Sequence, residues 1–163
     1  MRKALLFLLI VLPIYLVINL YFLDKHYFLC PIEYKGDISI RCDLRGEGFF
    51  AASRRGNRLH EGIDLFAEIG SPVLAARSGR VIVSKENNKG MGSYVIIRHP
   101  GNIITIYGHL SKIYVIPNEL IRQGQLIARV GKTGNANYPG IQPHLHLEVR
   151  KAGVPRDPLE YLQ

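Results

Sequence analysis

The feature that most constrains this chain is the run His144-Leu145-His146-Leu147-Glu148-Val149, six residues in strict polar–apolar alternation. A period of two is that of a β-strand and puts His144, His146 and Glu148 on one face, Leu145, Leu147 and Val149 on the other. One face is core and the other carries chemistry. Two imidazoles do not complete a catalytic zinc site, which takes three protein ligands and keeps a fourth position open. His60-Glu61-Gly62-Ile63-Asp64 supplies the missing donors, His60 and Asp64. Fully extended, these two would stand roughly 13 Å apart at about 3.3 Å per residue, too far for one ion. A bend or bulge at Gly62 is expected to close that gap. The glycines around it disfavour a helical turn.

His109, in Ile103-Ile104-Thr105-Ile106-Tyr107-Gly108-His109-Leu110-Ser111, ends a hydrophobic strand-like run and completes the inventory. Three donors would be His60, Asp64 and either His144 or His146, leaving two further imidazoles. Such a set suits metal-assisted hydrolysis.

These stretches resemble the motifs of the M23 family of zinc metallopeptidases, the lysostaphin-like and LytM-like peptidoglycan endopeptidases. His60 to Asp64 resembles H-x-G-[IV]-D, Tyr107 to Ser111 resembles Y-x-H-L-S, and His144 to Val149 resembles H-L-H-[FL]-E-V. They occur in family order, with Gly131-Lys132-Thr133-Gly134 similar to the G-x-T-G segment and Arg156-Asp157-Pro158-Leu159 similar to the closing segment. The resemblance covers roughly residues 41 to 159. It implies one zinc ion held by His60, Asp64 and His146, with His109 and His144 as non-ligand catalytic histidines. It further implies hydrolysis of peptide bonds in peptidoglycan stem peptides or cross-bridges. The rival is an M23-like domain that binds peptidoglycan or regulates a partner without cutting. Nine residues separate Gly134 from His144, more than lysostaphin-like relatives commonly have, so the substrate rim is expected to differ.

Elsewhere the pattern is of short β-branched runs punctuated by Gly, Asn and Pro: residues 38–44, 72–76, 80–83, 94–98, 103–107 and two pieces within 118–131. Helical periodicity is absent beyond the N-terminus. The expected fold is mostly β, an antiparallel β-sandwich-like domain behind one N-terminal transmembrane helix. That helix is read from Leu5 to Leu23, a nearly unbroken apolar run after Arg2 and Lys3, long enough at 1.5 Å per residue to cross a core of about 30 Å. The expected organisation is an anchor over 1–23, a membrane-proximal connector with interfacial aromatics over 24–35, and the peptidase domain over 36–163. Arg2 and Lys3 favour the cytoplasmic side. The expected location is therefore the bacterial cytoplasmic membrane, single-pass, with the catalytic domain on the periplasmic or extracytoplasmic side.

The 21 Lys and Arg against 13 Asp and Glu give a formal charge of +8; without the anchor, which holds Arg2 and Lys3, the remainder carries +6. The excess favours an anionic polymer such as cell wall, and no recognised module supports nucleic acid. The run Ser53 to Arg58 is a basic loop, either solvated or turned to the His60 site. Cys30 and Cys42 could pair in an oxidising compartment or remain two thiols. His99, beside Pro100-Gly101-Asn102, is expected to be an exposed turn residue, and His26 a juxtamembrane surface residue. Glu61 is expected on the surface or behind a ligand; Glu148 is expected either to orient a ligand or to bond a neighbouring loop. Tyr138 either packs on its loop or meets a wall peptide.

Overall fold

The structure is a computed structural model describing residues 2–25, 27–54 and 56–162, with side chains of the first helix from residue 9 onward. His26 and Arg55 lie outside the described residues. Among the described residues, helix α1 (Arg2–Tyr21) precedes thirteen strands. The first four are two-residue pieces: β1 (Cys42–Asp43), β2 (Gly46–Glu47), β3 (Ser53–Arg54) and β4 (Arg58–Leu59). The main strands are β5 (Ile63–Phe66), β6 (Pro72–Leu74), β7 (Gly79–Lys85), β8 (Ser93–His99) and β9 (Ile103–Ile113). They are followed by β10 (Leu120–Ile121), β11 (Leu126–Val130), β12 (His144–Lys151) and β13 (Val154–Arg156).

Every pairing in these sheets is antiparallel, as the short alternating runs predict. The ladders join nine strands into one sheet in the order β10-β7-β8-β9-β11-β6, with β12 branching off β9 and carrying β5 and β13. Strand β9 is the trunk. At eleven residues it is long enough to pair with β8 along one edge and with β12 and then β11 along the other. Its inward face, with Tyr107 and Leu110, packs with Val95, Ile97, Leu145 and Leu147 in the apolar core. The run 38–44 forms less strand than its alternation suggests: only Cys42–Asp43 and a single bridge from Ile40 to Leu65. Cys30 and Cys42 are both free thiols.

The expectation of a membrane-spanning anchor is corrected. Helix α1 forms, but among the described residues no helix is long and apolar enough to cross a membrane. The membrane as a partner and the single-pass location in the cytoplasmic membrane therefore have no support. Arg2 and Lys3, on which the orientation rested, have side chains outside the described residues.

The segment after the helix also behaves differently from an interfacial connector. Phe28 and Ile32 are buried in the core, and Asp24 accepts hydrogen bonds from Arg77 Nε (3.0 Å) and the Ser78 amide (2.9 Å). Phe28 meets His99 edge-on at 6.0 Å between ring centroids. His99 is accordingly not an exposed turn residue. Burial alternates along β8 through Ser93, Val95, Ile97 and His99, so the ring points inward before Pro100 begins the turn. Its Nδ1 donates to Ser78 O (2.9 Å), and its Nε2 meets Thr105 Oγ1 (2.8 Å), which is linked in turn to Tyr107 Oη (3.1 Å).

Burial, aided by the charge of Arg77, depresses the pKa of His99 to about 4, although the Ser78 carbonyl and Asp24 pull the other way. An unfolded histidine titrates near 6.5, so below that pH the unfolded chain binds more protons than the folded one. The stability that neutral His99 contributes is therefore complete above about pH 6.5 and is lost as pH falls toward 4. His99→Asn keeps the donor to Ser78 and should be less stable than wild type by ~1–3 kcal/mol at pH 7.5. In denaturant unfolding that gap should narrow by pH 4.5; a constant gap removes His99 from the linkage.

Candidate metal centre

Strand β12 lies between β5 and β9, and its register builds the site. His146 stands opposite Asp64 on one side and Gly108 on the other, so the three positions share a face. Gly108 is glycine because a Cβ there would press within 2.7 Å of Met91 Cγ and 3.4 Å of His146 Cβ. The chain bends at Glu61 and Gly62 before entering β5. At Gly62 it approaches β12 so closely that a Cβ would fall 2.3 Å from Leu147 O. Reciprocal backbone bonds between His60 and the 51–52 pair fix the ligand-bearing residue just upstream (both 2.9 Å). The bend expected at Gly62 brings His60 Nε2 to 3.2 Å from Asp64 Oδ1.

His60, Asp64 and His146 form one group able to hold a metal ion, with donor atoms within 4.8 Å of one another. The tighter contacts are His146 Nδ1 to Asp64 Oδ1 at 2.9 Å and His60 Nε2 to His146 Nδ1 at 3.1 Å. Around a tetrahedral ion with bonds near 2.0–2.1 Å, adjacent donors stand about 3.3 Å apart. The outer nitrogens fix the tautomers that a metal requires. His60 Nδ1 donates to Phe49 O (2.8 Å), and His146 Nε2 donates to Glu148 Oε1 (3.1 Å). Each lone pair is thereby turned to the common point. Two imidazole nitrogens and a carboxylate oxygen turned to one point require a cation between them, either a proton shared with Asp64 or a metal ion. The donor set fits a single zinc ion.

Charge is tuned behind each ligand. Asp64 Oδ2 accepts from Arg41 Nε (3.2 Å), Arg41 Nη2 (3.0 Å) and Arg54 Nη2 (3.3 Å). Burial would raise the Asp64 pKa, but hydrogen bonds from His146 and His60 outweigh it and hold the carboxyl well below the usual range. Burial likewise opposes a charge on His146, yet its bonds to Asp64 and Glu148 push it up to about 9. The same two carboxylates that attract a proton to His146 attract a metal cation. Glu148 Oε2 in turn accepts from Arg150 Nε (2.7 Å), and Arg150 Nη2 is paired with Glu61.

The other two histidines reach the site by different routes. His144 shares the His146 face by simple alternation; its Nδ1 donates to Gln142 O (2.7 Å), and its Nε2 is 3.8 Å from Asp64 Oδ1. For His109 alternation alone fails, because Tyr107, two residues earlier, points into the core. A β-bulge intervenes: Ser93 pairs with Leu110 and Val95 with Tyr107, so Gly108 and His109 together oppose Tyr94. His109 takes a left-handed conformation (φ 60°), and its ring comes to 4.9 Å from His144 and 5.9 Å from His146, centroid to centroid. Its Nδ1 donates to Thr133 O (3.0 Å). Burial and the neighbouring imidazoles lower its pKa to about 3, and burial also lowers that of His144. Both rings are neutral at physiological pH.

All five motif side chains thus line one open cleft of about 1180 Å³. Arg54 and Arg58 of the basic loop line it as well, so that loop is turned to the site. Arg41, seen in the sequence only as part of a short strand, is the buried partner of Asp64. Glu61 pairs with Arg150 and its side chain is largely exposed, and Tyr138 stands at the cleft, 58% exposed.

Known proteins resemble this chain in sequence and in fold. The chain is 38% identical over 104 residues to the lipoprotein NlpD/LppB homolog of Pseudomonas aeruginosa, covering 64% of this chain and 33% of that protein. It is 41% identical over 102 residues to the DD-carboxypeptidase/endopeptidase Mpg of Neisseria meningitidis, covering 63% and 22%. It therefore spans a third or less of the length of these curated relatives. A solved zinc containing peptidase from Vibrio cholerae superposes with a TM-score of 0.62 at 31% identity, over 80% of this chain and 38% of that one. The sequence profile of Peptidase family M23 matches residues 58–158, a stretch that contains every one of the clustered histidines and Asp64, and the chain belongs to that family.

Proposed function

We propose that this protein is a zinc-dependent endopeptidase that hydrolyses peptide bonds in peptidoglycan stem peptides or cross-bridges. The observation that carries this reading is the convergence of three metal donors with two neutral, non-ligand imidazoles in one open cleft. A domain that only binds peptidoglycan has no use for the second pair.

Zinc, when bound, supplies Lewis-acid polarisation of the peptide carbonyl and acidifies water toward a pKa of about 7. The chain's own groups do the rest. His109 and His144 each commit Nδ1 to a backbone carbonyl, so Nε2 carries the lone pair. A neutral imidazole in that tautomer accepts a proton from the attacking water and then passes it to the departing amine. The carbon–nitrogen bond breaks, a carbon–oxygen bond forms, and the amine leaves with the proton. No H-E-x-x-H helix is present in the sequence, so no glutamate of that kind is needed as base.

Glu148 and Arg150 act through His146. With Arg150 holding Oε2, Glu148 keeps Oε1 on His146 Nε2 and so maintains the ligand's tautomer and ring angle. Glu61 ties Arg150 to the segment carrying His60, coupling the two ligand-bearing strands.

Replacing His60, Asp64 or His146 by Ala should abolish stoichiometric zinc, read by elemental analysis. His109→Ala and His144→Ala should keep zinc and lose hydrolysis of defined muropeptides by about 100-fold or more. Near-normal turnover in both would remove them from the mechanism. Glu148→Gln and Arg150→Ala should weaken zinc binding by roughly 10–100-fold in a chelator competition, the usual effect of losing a group behind a ligand. An unchanged affinity in both would show that the chain behind His146 is only structural.

A further inference from the structure

The cleft carries arginines that the metal chemistry does not consume. Arg54 donates Nη1 to Glu47 O (2.9 Å) and Ser53 O (3.4 Å) and Nη2 to Asp64 Oδ2 (3.3 Å). A guanidinium has five N–H groups, so two of them have no protein partner among the described residues. Arg45 donates Nε to Pro139 O (3.1 Å) and lies over the Tyr138 ring, 4.9 Å from its centroid. Its four terminal N–H groups are uncommitted among the described residues. That anchoring gives a long side chain one orientation in advance, which lowers the entropic cost of binding an anion. Both arginines line the cleft, alongside exposed apolar surface from Leu44 and Leu59.

Position narrows what they bind. Arg54 touches the oxygen of Asp64 that faces away from the metal donors, so its guanidinium lies within one to two residues' reach of the reacting carbonyl, at roughly 3.5 Å per residue. A planar fork with free N–H groups suits a carboxylate or a phosphate, and of these a peptide substrate offers the carboxylate. Resting on the hydrolase reading above, we propose that Arg54 and Arg45 bind a free carboxylate on the residue that supplies the leaving amine. Two substrate classes have that carboxylate. One is a direct cross-link made through a diamino dicarboxylic acid whose acylated amine sits on a carboxylate-bearing carbon. The other is a stem peptide ending in a free C-terminal residue. An internal bond of a glycine bridge has no charge at that place and leaves both arginines unpaired. The departure from lysostaphin-like spacing between Gly134 and His144 falls in the loop whose Pro139 and Tyr138 hold Arg45.

The test uses the zinc-loaded chain of residues 1–163 and two synthetic stem-peptide dimers, identical except that the carboxylate beside the scissile amide is free in one and a primary amide in the other. Wild type should show kcat/KM about tenfold or more higher for the free carboxylate, the scale of a charge-assisted hydrogen bond. Arg54→Gln and Arg45→Gln should each shrink that preference. Because Arg54 also holds Asp64, Arg45→Gln, which touches no ligand, is the decisive variant, and its zinc content should equal that of wild type. Calorimetric titration of His144→Ala with the amine product, as carboxylate and as amide, reads the same subsite without turnover. Equal cleavage of both dimers, or a preference untouched in both variants, overturns the carboxylate subsite and leaves the hydrolase reading standing. No cleavage of either dimer with selective binding of the carboxylate product overturns the hydrolase reading and leaves the subsite. Absence of both cleavage and selective binding overturns both.

Discussion

A single buried carboxylate organises this structure. Asp64 turns Oδ1 to His60 and His146 and Oδ2 to Arg41 and Arg54, so both of its oxygens are committed and the side chain is buried. A buried charge is tolerated only when paired and hydrogen-bonded. That requirement dictates where Arg41 is buried, where the basic loop lies, and why β5 must sit beside β12. Asp43 and Glu61 extend the pattern outward through Arg41 and Arg150. Three guanidinia, those of Arg41, Arg54 and Arg150, thus alternate with four carboxylates, those of Asp43, Asp64, Glu61 and Glu148, around the donors.

The second organising element is the two-faced strand β12. Six consecutive residues from His144 are buried, polar on one side and apolar on the other. Leu145, Leu147 and Val149 lock the strand into the core, which makes the opposite face rigid. A metal site on such a strand inherits the precision of the core packing, and the groups behind the ligands fix what remains of their rotation. The bulge at Gly108 and His109 is the complement of this rigidity. It stores one unfavourable backbone conformation to bring an extra imidazole to the site side, as functional positions often do.

Much of the site is legible in the residues themselves. Alternation places His144, His146 and Glu148 together, and Gly62 marks where His60 must fold back on Asp64. Family resemblance alone points to His146 rather than His144 as the ligand, and His146 is the one of the pair that groups with His60 and Asp64. What the local pattern misreads is instructive. His99 sits beside turn residues, yet the strand's inward phase continues through it, and Phe28, seventy-one residues earlier, packs edge-on against its ring. The apolar N-terminal run suggests a spanning helix on hydropathy, whereas the described residues contain no helix long and apolar enough for that, and the segment that follows is packed into the β core.

By itself the sequence determined the strand-forming alternation, the metal-donor residue types and the glycine that lets two of them meet, because these depend on local geometry and chemistry. Only the tertiary structure decided which arginines stand behind Asp64, how His109 turns to the site side and which side chains line the cleft. Those outcomes depend on register between strands distant in sequence and on how buried charges find partners. No window of neighbouring residues encodes either.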